Sequence, residues 1–325
     1  MRRRLRVWSL LCVLACAALA VSLGGCAKRA APSRVVVGVS ALRISLPIFV
    51  AQSRGLFARH GLTVELKPFE TAQPLADEVS DGRIDAGGYV AWPILFLSAR
   101  RGAQPPQAAT SIVEDAGHRL SYVLARRGSG LQFPRDVRGR RVGILPTVAY
   151  RKWLDAMLTA SGVRADEVSV VPVAPPLQSQ TLASGGVDLL FTNDPMATAM
   201  LGAGVAEVAD PAPSCPRILG TPFRFGTFAL SSRFVRARPD VARRLVDALD
   251  EAIALVRADQ ASARRAMAPF VRPQERAWVD RYPDASFLTS RETTAAMFED
   301  EAAREVRLGI LTEAPRVTPW RPDAR

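Results

Sequence analysis

Cysteine is scarce in this chain of 325 residues, with four in all: Cys12, Cys16, Cys26 and Cys215. The first three fall in or directly after an apolar run near the amino terminus. Cys215 is therefore left without an intramolecular partner, and no disulfide framework holds the fold. Histidine is scarcer still, at His60 and His118 alone. Neither belongs to an HExxH pair, and there is no cysteine cluster, phosphate-cradling glycine loop or serine elbow. The sequence thus lacks the parts for zincin, P-loop or serine-hydrolase chemistry, and it calls for no cofactor or metal. Aromatics are 7% of the chain and are not interleaved with arginine in one stripe, so the net charge of +12 reads as a solvated arginine-rich surface and not as a nucleic-acid footprint. Beyond Leu23 no uninterrupted apolar run reaches the roughly 18 residues that a membrane span needs.

The amino terminus is what the chain does have. Met1-Arg2-Arg3-Arg4-Leu5-Arg6 is cationic, Val7 to Leu23 is apolar, and Leu23-Gly24-Gly25-Cys26 follows. A short apolar run behind a basic stretch and ending in small residues marks a cleaved secretory signal. The last four residues resemble the lipobox of bacterial lipoproteins, which implies cleavage after residue 25 and acylation of Cys26. Two or more acyl chains, at roughly 0.8 kcal/mol per buried methylene, anchor a protein without any membrane helix. The expected location is outside the cytoplasm, lipid-anchored at the outer face of the cytoplasmic membrane or in the periplasm. Residues 26–34 read as a tether.

From Val35 the pattern is that of an α/β protein. Val35-Val36-Val37-Gly38-Val39 is an apolar run suited to a strand buried on both faces. Pro47 marks a helix start, Ile48 to Arg59 carries a helical apolar stripe, and Leu62, Val64 and Leu66 alternate as a second strand. Strands at 84–87 and 107–113 and helices at 75–80 and 93–100 extend the series. A second series begins after Phe133-Pro134: strands at 141–145, 168–173 and 187–192, and helices at 147–161, 177–184 and after Pro195. Strand, helix and strand in that order build parallel crossover units. An echo links the series, since Asp81-Gly82-Arg83-Ile84-Asp85 and Ser184-Gly185-Gly186-Val187-Asp188 both close a helix at glycine and enter a strand with Asp. Pro239 to Ala258 is a strongly amphipathic helix, with more helix expected at 260–268, 274–280 and 291–307. The fold expected is two lobes, each a mostly parallel sheet flanked by helices. Residues 35–123 and 226–325 form the first lobe and 124–225 the second, with a two-strand hinge near 122–127 and 224–227.

Leu46-Pro47-Ile48-Phe49-Val50-Ala51-Gln52-Ser53-Arg54-Gly55-Leu56-Phe57, continued by His60-Gly61-Leu62-Thr63-Val64-Glu65-Leu66, resembles the opening segment of the solute-binding proteins of importers for sulfonates, taurine, nitrate and thiamine pyrimidines. Asp136-Val137-Arg138-Gly139 and Asn193-Asp194-Pro195 are further echoes. The resemblance runs from about Val35 to Val256. It implies a type II periplasmic-binding fold with a ligand held between the lobes, and an ABC permease with its ATPase as partners of a monomeric receptor.

In parallel α/β lobes a ligand sits at the carboxyl ends of the strands. Four junctions stand out: Ser40 to Leu46, Gly88 to Trp92, Pro146 to Tyr150, and Asn193 to Pro195. Free N–H groups at the helix starts there favour an anionic or polar ligand atom. The candidate ligand residues are Ser40, Arg43, Ser45, Gly88, Tyr89, Trp92, Thr147, Tyr150, Asn193, Asp194 and, at the lobe crossing, Phe225. Arg43 either clamps a carboxylate or sulfonate or is a surface arginine. Tyr89, Trp92 and Tyr150 either stack on an organic ligand or pack as core. Thr147 and Asp194 either contact ligand or cap helices. Two rival functions remain at this point: a ligand-sensing module for a membrane sensor, and an enzyme resembling a pyrimidine synthase.

Overall fold

The computed structural model describes residues 31–101, 104–313 and 317–321, so Cys26 and the leader lie outside the described residues. Ser33–Arg325 clusters as one compact unit. Within it, strands β1 (Ser33–Val39), β2 (Leu62–Pro68), β3 (Ala86–Ala91), β4 (Gln107–Glu114), β5 (Ser121–Arg126), β6 (Arg141–Ile144), β7 (Ser169–Pro172), β8 (Leu189–Asn193), β9 (Ala206–Val208), β10 (Phe223–Leu230), β11 (Ser286–Leu288) and β12 (Thr318–Pro319) form two sheets. The first sheet has the order β11-β4-β10-β3-β1-β2, with β12 also on β4, and the second has the order β7-β6-β8-β5-β9. This is the mixed α/β, two-sheet architecture expected from the alternation of strand and helix patterns.

Each sheet is nucleated by a parallel core. Val35, Val37 and Val39 of β1 are buried and lie in register with β2 on one side and β3 on the other. In the second sheet, β6 pairs in parallel with β7 and β8. The sequence echo has a structural meaning here. Asp85 Oδ2 accepts from the N–H of Val36 in β1 at 2.9 Å, and Asp188 Oδ2 accepts from the N–H of Arg141 in β6 at 2.8 Å. In both sheets the carboxylate at a strand entrance ties down a backbone N–H of the neighbouring strand, at the middle of β1 and at the start of β6.

The helix expected over Ile48 to Arg59 is split into Leu46–Ser53 and Leu56–Arg59, because Gly55 takes a left-handed φ of 66°. The helix Pro239–Ala258 forms as expected. Val241, Leu245, Leu249, Ile253 and Val256 are buried along one stripe, and it packs on Leu46–Ser53. At about 2–5 kcal/mol for a buried leucine cut to alanine, Leu249→Ala would weaken this helix's packing. The strand expected at 84–87 runs from Ala86 to Ala91, because β10 extends the pairing as far as Gly226 opposite Ala91. Residues 122–127 and 224–227, expected at the hinge, lie mostly within β5 and β10, each paired inside one sheet. The chain passes between sheets before them, at 115–120 and 209–222.

A third passage comes from the segment that follows the long helix. Phe270 stacks on Phe49 beneath the first sheet, with centroids 4.3 Å apart. Trp278 then lies so close to the helix Met196–Gly202 that a Cβ on Gly202 would sit 2.2 Å from the indole. The segment returns at β11 to pair with β4.

Candidate functional site

The carboxyl ends of four parallel strands, two from each sheet, border one crevice. Ala41 and Leu42 follow β1, Phe69 and Glu70 follow β2, Pro175 and Pro176 follow β7, and Pro195 and Met196 follow β8; Arg272 and Glu275 close it from the third passage. Its volume is about 150 Å³. A second crevice of the same size shares Pro175, Pro176, Met196, Arg272 and Glu275 and extends to Met200 and Trp278. The strand-end rule foresaw the ends of β1 and β8. It was not applied to β2 and β7, where the same rule would have picked out Phe69, Glu70, Pro175 and Pro176.

Behind the crevice the two sheets are joined by a buried ion pair. Arg43 is turned inward, 1% exposed, and donates from Nε to Asp194 Oδ2 at 2.9 Å. Its terminal nitrogens donate to the carbonyls of Pro283, at 3.0 Å, of Asp284, and of Arg119. The backbone N–H of Arg43 reaches the carbonyl of Asp194 at 3.2 Å. Asp194 Oδ1 accepts from both the N–H and the hydroxyl of Thr198, closing the start of the helix that follows β8. Arg43 and Asp194 were expected to compete over ligand charge. The structure brings them together, and each neutralises the other.

The other candidates divide into two groups. Tyr89 donates or accepts at Thr110 Oγ1 across 2.7 Å and packs on Phe228 and Phe287. Trp92 packs on Phe96 and Phe298. Phe225 lies against Trp153 and Tyr150, and a Cβ on Gly88 would meet Phe228 at 2.6 Å. Ser45 donates to the Gly88 carbonyl at 3.3 Å, and Thr147 accepts from the N–H of Tyr150 as an N-cap. All of these are held by the fold itself, although the Trp92 indole N–H, buried among these rings, has no acceptor. In contrast, Ser40 Oγ, the Tyr150 hydroxyl and Asn193 Oδ1 are buried without a hydrogen-bond partner. Ser40 directly precedes the crevice residue Ala41, and Asn193 stands two residues before Pro195.

The helix starts are also less open than the strand pattern suggested. The N–H groups of Arg43, Ser45, Thr147, Tyr150 and Thr198 are all taken up by acceptors within the protein. The two histidines stand apart from the crevice: His60 Nε2 lies 3.0 Å from Glu251, and His118 Nδ1 lies 2.9 Å from Asp115. Deeper in the interior, burial pushes the Glu114 carboxyl up to about 7 against the bonds it accepts from Leu120 and Ser121, and pushes Asp210 up to about 6. Cys215 is buried beside them and burial raises its thiol well above the usual range, which leaves it unreactive. Among the described residues no helix is long and apolar enough to cross a membrane.

Comparison with known proteins matches residues 44–263 to the family described as NMT1/THI5 like. Among solved structures, the alkanesulfonate-binding protein SsuA from Xanthomonas axonopodis pv. citri, bound to MOPS, is 20% identical with a TM-score of 0.68, covering 90% of this chain and 100% of that one. The periplasmic nitrate-binding protein NrtA from Synechocystis is 16% identical with a TM-score of 0.66, covering 86% and 82%. Both share the fold. A curated relative, the 4-amino-5-hydroxymethyl-2-methylpyrimidine phosphate synthase of Schizosaccharomyces pombe, is 26% identical over 98 residues; the match spans 30% of this chain and only 27% of that protein.

Proposed function

The chain belongs to the NMT1/THI5-like family, and from that premise we propose that it is an extracytoplasmic solute-binding lipoprotein. It captures a small organic solute between its two halves and delivers it to an ABC-type importer. The observation that carries this reading is the crevice itself: strand ends from both sheets converge on it, and the buried, unpartnered hydroxyl of Ser40 directly precedes its residue Ala41. Contacts made from both halves to one solute favour the closed arrangement, which is how such a receptor signals occupancy. Nothing in this site resembles a reacting centre. Its aromatic and aliphatic walls bind, and its one lining cation, Arg272, is paired with Glu275 before any substrate arrives.

The residues assigned to the solute are Ser40, Tyr150 and Asn193, together with Leu42, Phe69, Glu70 and Met196 of the crevice wall. Arg43 and Asp194 are assigned to joining the halves. Residues 1–25 are the export signal and Cys26 carries the lipid. The halves follow the two sheets, so that the bounds expected at 123/124 and 225/226 shift to the crossings at 115–120 and 209–222, leaving β5 whole in one half and β10 whole in the other. Titration calorimetry of the purified protein against panels of small organic solutes tests the reading. A saturable, one-to-one heat for some member supports it, whereas turnover of that solute would convert the protein into an enzyme.

A further inference from the structure

The receptor reading leaves the charge of the solute open, and the crevice carries information on it. A small oxyanion is held in proteins by free guanidinium or ammonium groups, or by N–H groups at open helix starts. Here the two guanidinium groups nearest the crevice are already engaged with carboxylates of the protein. Arg43, next in sequence to the crevice residue Leu42, is buried, paired with Asp194, and donates to three carbonyls. Arg272, the only cation lining the crevice among the described residues, donates from Nε to Glu275 at 2.9 Å and bonds it again through a terminal nitrogen. The helix-start N–H groups at Arg43, Ser45, Tyr150 and Thr198 have acceptors already.

What remains is of the opposite kind. Glu70 lines the mouth, is exposed, and makes no ion pair among the described residues. The buried, unpartnered polar atoms nearest in sequence to the crevice residues, those of Ser40 before Ala41 and Asn193 before Pro195, are uncharged. The wall between them is Leu42, Phe69, Pro175, Pro176, Pro195 and Met196. An apolar cavity of about 150 Å³ accepts a benzene-sized ring.

We infer that the crevice takes a neutral or cationic solute with an apolar body about one ring in size, and refuses small anions, because Arg43 is committed to Asp194 and Arg272 to Glu275. This rests on the receptor reading and sets the chain apart from the sulfonate- and nitrate-binding proteins that share its fold. Asp194 is thus a specificity-determining residue that never touches the solute. It acts by withdrawing the arginine an anion would need.

Calorimetry on the full-length protein in detergent, with benzylamine, benzyl alcohol, benzoate and methanesulfonate as probes, tests the inference at constant ring size. Wild type should bind benzylamine or benzyl alcohol at least tenfold more tightly than benzoate and give no heat with methanesulfonate. Asp194→Asn, which releases Arg43 from its counter-ion, should raise benzoate affinity at least tenfold. Glu70→Lys, an exposed change that leaves the buried pair alone, should shift it in the same direction. Benzoate or methanesulfonate binding wild type as tightly as benzylamine would overturn the inference while leaving the receptor reading intact, as would benzoate affinity unchanged in both variants. Silence from all four probes in all three proteins would count against the crevice as a receptor site, and both readings would fall together.

Discussion

Arg43 Nε meets Asp194 Oδ2 at 2.9 Å, joining two side chains that are 2% and 0% exposed and 151 residues apart in sequence. One residue follows the first strand of the first sheet and the other follows β8 of the second. Removing one member strands the other as a buried charge, which costs about 3–5 kcal/mol. Arg43→Met and Asp194→Leu should each lower stability by that amount in urea unfolding. The double variant should recover much of the loss. Strict additivity of the two losses would mean that the pair does not act as a unit.

Stability should fall as pH rises from about 5 to 7. Glu114 is held up to about 7 by burial and Asp210 up to about 6, both above their ordinary carboxyl range. An acid raised in the folded state keeps its proton longer there, so the native protein binds more protons than the unfolded chain within this window, and raising the pH favours unfolding. Glu114→Gln preserves the shape of the protonated carboxyl and should flatten the slope. A urea midpoint that climbs between pH 5 and 7 would contradict the assignment.

The crevice wall should control affinity without controlling stability. Leu42 is only partly buried, so Leu42→Ala should cost little in unfolding experiments. It should weaken solute binding roughly tenfold, the equivalent of ~1.4 kcal/mol. Equal affinities for variant and wild type would place the solute elsewhere.

Gly202 gives Trp278 its seat. A Cβ at this position would lie 2.2 Å from the indole, so Gly202→Val should push the ring off the helix Met196–Gly202, at about 1–3 kcal/mol. Tryptophan emission should shift to the red as the ring gains water. An unchanged spectrum would show that the ring is held by other contacts.

Anchoring is tested separately. Cys26→Ser should move the protein from the membrane fraction to the soluble one without altering its solute affinity. Retention in the membrane would refute acylation at this residue.

The elements were legible wherever apolar periodicity was strong. The helix Pro239–Ala258 and the valines of β1 needed no tertiary information, since one buried stripe and one doubly buried run are written directly in the sequence. The glycine–aspartate echo was also readable, and it serves the same hydrogen bond in both sheets. The site was only half legible. Ser40 and Asn193 were found because β1 and β8 are buried strands with clear ends. Phe69 and Pro175 were missed although β2 and β7 were read as strands, because the four junctions chosen did not include the ends of these edge strands. No local pattern announces that Arg43 and Asp194 pair, because partner choice across 151 residues is decided by how the sheets come together.

The strand order has a consequence for synthesis. In the first sheet, β10 lies between β3 and β4, although it is made about a hundred residues after β4. Every partner in the second sheet, in contrast, lies between Ser121 and Val208. As the chain emerges, the second sheet has all its strands while the first still has two unfinished edges waiting for Phe223–Leu230. The amino-terminal half is therefore the last to close, and until then its unpaired strand edges are open to pairing with other chains.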